Sequence, residues 1–130
     1  ERGIKLLEVR VIPDLEEAIV ATVHELRRKV TYVFTTGGIG PTHDDITSAT
    51  MAKVFGVPYG LHAEARAILL NHYGSEEQLT PARLKMAHIP EGAKLIYNPV
   101  SGAPGFQMEN VYVMAGVPRI MQAMLDGVLP

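Results

Sequence analysis

A chain of 130 residues, 47% of them apolar and 20% charged, has the composition of one ordinary globular domain and can bury a core without covalent staples. Twelve Lys and Arg against fourteen Asp and Glu leave a formal charge of −2, so no long-range field favours nucleic acid or an anionic membrane, and a bound anion must be held by local geometry. The absence of cysteine excludes disulfides, thiol catalysis and cysteine metal sites, and no apolar run approaches the ~20 residues that span a bilayer.

From these features a cytosolic protein is expected, with neither a nucleic acid nor a membrane as partner. The chain opens Glu1-Arg2-Gly3-Ile4, and Gly3 reads like the glycine that ends a helix. A preceding N-terminal piece is therefore expected. Ile4 to Ile12 alternates apolar and charged residues, which predicts a strand stopped by Pro13. Asp14 reads as the N-cap of a helix to about Lys29, with Leu15, Ile19, Val23 and Leu26 on its inner face. Val30 to Thr36 is rich in β-formers without alternation, as in a central parallel strand covered on both faces. A helix follows from about Asp44 to Phe55, ended by Gly56 and Pro58. Another runs from about His62 to Tyr73, with Ala63, Ala67 and Leu70 on one face and Gly74 at its end. Thr80-Pro81 opens a short helix to about His88. Lys94 to Tyr97 and Val111 to Met114 predict two strands, joined by a loop from Asn98 to Phe106. From Pro118 a last helix buries Ile120, Met121, Met124 and Val128 and fades near Gly127. This alternation of strand and helix is the grammar of a doubly wound α/β domain.

The chemistry-bearing segment is the loop Thr35-Thr36-Gly37-Gly38-Ile39-Gly40, which leads from a strand into a helix. Ligands of open parallel sheets sit at the carboxyl ends of strands. Glycines let the backbone approach a ligand closely, and the amides of such a loop and of the next helical turn can cradle a phosphate or carboxylate without a basic side chain. Gly-Gly-x-Gly alone is a weak signal, for it has neither dinucleotide-binding spacing nor the Lys-Ser/Thr ending of a P-loop. Its weight comes from Thr42, Asp44, Asp45 and Thr47 nearby. On one reading, Asp44 or Asp45 only caps the helix. On the other, at least one faces the bound phosphate, and a divalent cation such as Mg²⁺ lies between the two anions. Asn98 and the residues after it form a second loop at a strand end, either a plain connection or a pocket wall in which Asn98 reads a ring edge or ribose. Lys85 reads as a residue of a solvated helix face, or as one that reaches a phosphate. No histidine pair has zinc-ligand spacing.

The run from Thr35 through Pro41-Thr42-His43-Asp44-Asp45-Ile46-Thr47 is similar to the signature of the molybdopterin-binding domain of molybdenum-cofactor biosynthesis proteins. It most resembles the branch of competence-damage-inducible protein A and of the molybdopterin-binding-like half of eukaryotic FAD synthases. Lys85-Met86-Ala87-His88-Ile89-Pro90-Glu91-Gly92, Asn98-Pro99 with Ala103-Pro104-Gly105-Phe106, and Gly116-Val117-Pro118 with Met121 resemble further segments of that branch. The chain departs from the pattern where Ile120 replaces a glutamate and where Val100-Ser101-Gly102 stands for an earlier Gly-Thr.

The resemblance implies a single domain over residues 1–130 with a three-layer α/β/α sandwich and a mostly parallel central sheet. It implies phosphate contacts from Thr36, Gly37, Gly38, Ile39, Gly40, Thr42 and Thr47, and further ligand contacts from Asn98, Gly102, Ala103, Pro104 and Gly105. Asp45, which falls on the family's aspartate, would serve metal-assisted catalysis; the residues themselves add Asp44 as a second candidate for catalysis and for binding Mg²⁺ or another divalent cation. The implied ligand is a phosphorylated small molecule, a pterin such as molybdopterin or a nucleotide. The alternative is metal-dependent pyrophosphate hydrolysis of ADP-ribose or FAD, with adenylyl transfer to molybdopterin in third place. A homo-oligomer of two or three copies is also implied.

Overall fold

The computed structural model describes residues 4–129, so Gly3, read above as a helix-ending glycine, lies outside the described residues. Five helices and six strands follow one another as α1 (Glu16–Lys29), β1 (Val33–Thr36), α2 (Thr47–Phe55), β2 (Tyr59–Leu61), α3 (Ala63–Tyr73), α4 (Pro81–Lys85), β3 (His88–Pro90), β4 (Lys94–Ile96), β5 (Gly105–Met108), β6 (Val111–Met114) and α5 (Pro118–Asp126) among the described residues. The α/β class is therefore as expected, but the sheet is mixed rather than mostly parallel. Its order is β1-β6-β5-β4, with β1 parallel to β6 and both other pairs antiparallel. The reason is β5, which the glycine- and proline-rich sequence before it disguised as loop. Gly105 and Phe106 already belong to this strand, and it returns the chain between β4 and β6 as a hairpin partner of each. A separate antiparallel pair, β2 with β3, was equally invisible, being three residues a side.

Alternation along the strands sends successive side chains to opposite faces. Val33, Leu95, Phe106, Val111 and Val113 join Ile19 and Val23 of α1, Met51 and Val54 of α2, and Leu69 of α3 in the main core. Ile96 and Met114 instead meet Met124 of α5, with Ile120, Met121 and Val128 packed around them, as the period of the last helix predicted.

Several boundaries move for physical reasons. Residues 4–15 form no strand: Leu6, Leu7, Val9 and Val11 are exposed, and alternation without a sheet edge or core to lie on has nothing to stabilise it. Ion pairs tie this segment to α1 instead, from Arg10 to Glu25 and from Lys29 to Glu8 at 3.2 Å. Asp14 does not cap α1. The N-cap is Leu15, whose amide bonds Pro13 O at 2.8 Å, and the acidic first turn of Glu16 and Glu17 complements the helix dipole. Val30 ends α1 because Asn110 Nδ2 donates to the carbonyls of Arg27 and Val30, which leaves the strand to start at Val33. That strand lies at the sheet's edge, not its centre, with Phe34 and Thr36 exposed. In α3 the buried positions are Ala65 and Leu69, while Ala63 and Ala67 face solvent; His62 Nδ1 accepts from Ala65 N and sets this phase. The helix opened by Thr80 stops at Lys85, and His88 begins β3. None of the helices is long and apolar enough to cross a membrane among the described residues.

Candidate functional site

Register decides what meets what. Because Thr36 pairs with Met114, Val113 with Phe106 and Gly105 with Ile96, the ends of β1, β6 and β4 and the start of β5 share one edge of the sheet. Both glycine-bearing loops and the Gly116 turn leave from that edge. They meet closely: the Gly37 amide donates to Met114 O at 3.0 Å, and a Cβ on Gly116 would lie 3.0 Å from Gly37 Cα.

Gly37 and Gly38 take φ of +96° and +74°, values that side-chain-bearing residues rarely adopt. A Cβ on Gly38 would also collide with Thr47 Oγ1, and Thr47 N donates back to Gly38 O at 2.9 Å. The loop thus folds onto the first turn of α2. Of the loop amides expected to cradle an anion, those at both ends of Gly37 to Gly40 are already engaged. Gly37 N is spent on Met114, and Gly40 N contributes to holding the Asp45 carboxylate. Gly38 and Ile39 keep amides without a backbone partner among the described residues.

Helix α2 starts at Thr47 with Ile46 as N-cap and no side-chain cap, so neither Asp44 nor Asp45 caps it. Asp45 instead closes the turn before it: its Oδ2 accepts from Thr42 N at 3.0 Å and Thr42 Oγ1 at 2.8 Å, while Asp45 N donates to Thr42 O at 3.2 Å. Partial burial pushes the Asp45 carboxyl up, but the Thr42 hydroxyl and amide, the Gly40 amide and the Lys85 charge outweigh it and hold its pKa below the ordinary carboxylate value. Asp44 points away, 84% exposed, with His43 Nε2 at 3.3 Å. The two carboxylates are therefore in different surroundings, and no group of three or more His, Asp or Glu could hold a metal among the described residues. The donors present fit a weaker mode. Mg²⁺ needs only one or two carboxylates, takes the remaining oxygens from water and substrate phosphate, and Asp45 supplies one ionised carboxylate beside the loop.

Lys85 neither lies along a solvated helix face nor offers itself as a free phosphate ligand: its Nζ donates to the carbonyls of Thr42 and of Asp45, the latter at 2.8 Å. Beside it opens a cleft of ≈ 400 Å³ lined by His43, Asp45, Ile46, Thr50, Lys53 and Lys85 among others, with Lys53 paired to Glu16 of α1. Sequence reasoning missed this cleft, since its walls come from three separated helices.

The second loop is held from within. Asn98 is buried and uses its whole amide locally: Nδ2 donates to Ser101 Oγ at 2.6 Å and Ala103 O at 3.0 Å, and Oδ1 accepts from Val100 N and Ser101 N, each at 3.0 Å. In this arrangement it has no hydrogen bond left for a ring edge. Gly102 packs against the His72 ring, Ala103 is half-buried against the core, and Pro104 and Gly105 are buried, Gly105 where a Cβ would strike Val113 O. The first loop thus presents backbone amides, whereas the Asn98 side chain of the second closes its own loop.

A family model described as a probable molybdopterin binding domain matches residues 1–130. A protein of Pyrobaculum calidifontis is 38% identical over 96% of this chain, which covers 50% of that relative. A CinA-like protein of Kosmotoga olearia is 35% identical over 97% of the chain and 32% of its own length. The crystal structure of the protein CinA, of unknown function, from Thermoplasma acidophilum superposes with a TM-score of 0.80 at 36% identity, over 87% of this chain and 69% of that one. The chain spans about half the length, or less, of the curated relatives it matches here.

Proposed function

Since the chain belongs to the probable molybdopterin binding domain family and is similar to CinA within it, we propose that it binds a phosphorylated pterin or nucleotide at the loop from Thr36 to Thr47. One observation carries this reading: at a strand end the amides of Gly38 and Ile39 have no backbone partner among the described residues, and the Thr47 hydroxyl lies beside Gly38. Main-chain amides at such a turn stabilise anionic oxygens, and their cost when left unsatisfied is relieved by a ligand. The phosphate would sit on these amides and the rest of the molecule along the edge shared by the two loops. Calorimetry with ADP-ribose and with molybdopterin tests this. Binding to the wild-type chain that is lost in Gly38→Ala, whose Cβ would strike Thr47 Oγ1, supports the loop; equal binding by both proteins removes it from the site.

A second reading, metal-dependent hydrolysis of a dinucleotide pyrophosphate, is favoured by the ionised Asp45 beside the same loop. A bound divalent cation would supply charge neutralisation at phosphorus. The chain's own part is to hold Asp45 oriented through Thr42 and to keep the phosphate on the loop amides. AMP released from ADP-ribose or FAD by the wild type and not by Asp45→Ala is the expected result, and undiminished release by the variant refutes the role of Asp45.

A further inference from the structure

The turn that presents Asp45 has little of its own to keep it in place. Thr42, His43 and Asp44 are exposed, and apart from the Asp45 side chain the turn is closed by one backbone bond of 3.2 Å, at the long end of the usual range. What spans it comes from 40 residues further along the chain. The Lys85 ammonium donates to the carbonyl of Thr42 and to the carbonyl of Asp45, the first and last residues of the same turn. The base of this side chain is itself fixed. Helix α4 is capped by Thr80 Oγ1 accepting from Arg83 N, and the Arg83 guanidinium lies 4.2 Å over the Tyr73 ring of α3 while donating to Gln78 O at 2.8 Å.

We propose that Lys85 is a positioning residue: by bridging both ends of the turn Thr42–Asp45 it fixes the direction in which the Asp45 carboxylate meets a phosphate-bound divalent cation. The proposal rests on the reading that this loop holds the phosphate of a nucleotide-like ligand. Lys85 acts through the backbone of the turn, not by touching the ligand; an ammonium has three protons, and two are engaged with carbonyls. Its positive charge also favours the ionised form of Asp45. A merely structural lysine would affect the whole fold or every mode of binding equally. A positioning lysine would affect the step that uses the Asp45 carboxylate.

The test is calorimetry of ADP-ribose binding across a Mg²⁺ titration, in the full chain as wild type, Lys85→Met, Lys85→Arg and Asp45→Asn, with circular dichroism to check folding. In Lys85→Met the Mg²⁺ concentration for half-maximal enhancement is expected to rise by ~10-fold, the usual effect of losing a group that orients a metal-binding side chain. Affinity without Mg²⁺ stays at the wild-type value. Lys85→Arg, whose forked donors span two carbonyls, regains most of the Mg²⁺ response. Should Lys85→Met fail to fold, Lys85→Gln is held to the same criteria. A wild-type Mg²⁺ response in the Met variant overturns the proposal, as does an equal loss with and without Mg²⁺ that Arg does not restore. Absence of any Mg²⁺ effect in the wild type, with Asp45→Asn binding as the wild type does, overturns the underlying reading and this proposal with it.

Discussion

Asp45 shows how much a single side chain's role depends on its neighbours. From the sequence, two adjacent carboxylates ahead of a helix were open to capping or to phosphate and metal. The fold separates them, Asp44 into solvent and Asp45 onto Thr42 and the Gly40 amide. The bonds that hold Asp45 serve its ionised form, so the folded-state pKa lies below the unfolded value of about 4. The sign follows from linkage: a group with a depressed folded pKa stabilises the fold above its unfolded pKa, and that contribution is lost as pH falls through the folded pKa. The difference in melting temperature between wild type and Asp45→Asn is therefore expected to be constant at neutral pH and to shrink below about pH 4. A difference independent of pH down to acid denaturation would contradict this account of the turn.

At the level of elements, the two loops at the sheet edge have different work. The first is shaped by backbone sterics, Gly37 and Gly38 being held between the Gly116 turn and Thr47. The second is organised by Asn98, a buried amide that supplies four hydrogen bonds to residues 100–103. Removing such a group strands several buried partners, so Asn98→Ala should lower the unfolding free energy by about 1–3 kcal/mol, read by urea denaturation. No measurable loss would mean that this loop is not held from within. Residue type alone could not assign this role, because an asparagine that closes its own loop and one that awaits a ligand read alike in a sequence. The elements most legible in the sequence were those with a long period or strong punctuation. Examples are α1, α5, and the ends of α2 and α3 at Gly56 and Gly74, both with positive φ. Strands β2, β3 and β5 carry no such period, and only pairing defines them.

Across the molecule, one sheet face near β1 is apolar and open among the described residues. Tyr32, Phe34 and Tyr112 stack there with ring centroids 5.2–6.2 Å apart, around a groove of ≈ 60 Å³ reached by Ile4, Val128 and Leu129. Contiguous exposed aromatic surface of this kind usually marks a contact. If the dimer or trimer that the family resemblance implies is built on this face, Phe34→Asp should sediment as a lighter species than the wild type. Equal masses would take these rings out of any such interface. The sequence by itself determined the class of fold and the identity of the loop, because Thr-Thr-Gly-Gly-Ile-Gly after a β-rich run is a local pattern, and local backbone sterics write themselves in glycine. It also carried the family, whose match spans residues 1–130. Only the tertiary structure decided which loop amides stay free, which carboxylate faces the loop, and that Lys85 would reach back across 40 residues to clasp the turn. Those outcomes depend on strand register and helix packing, which bring together groups far apart in the chain and leave no spacing for a sequence to display.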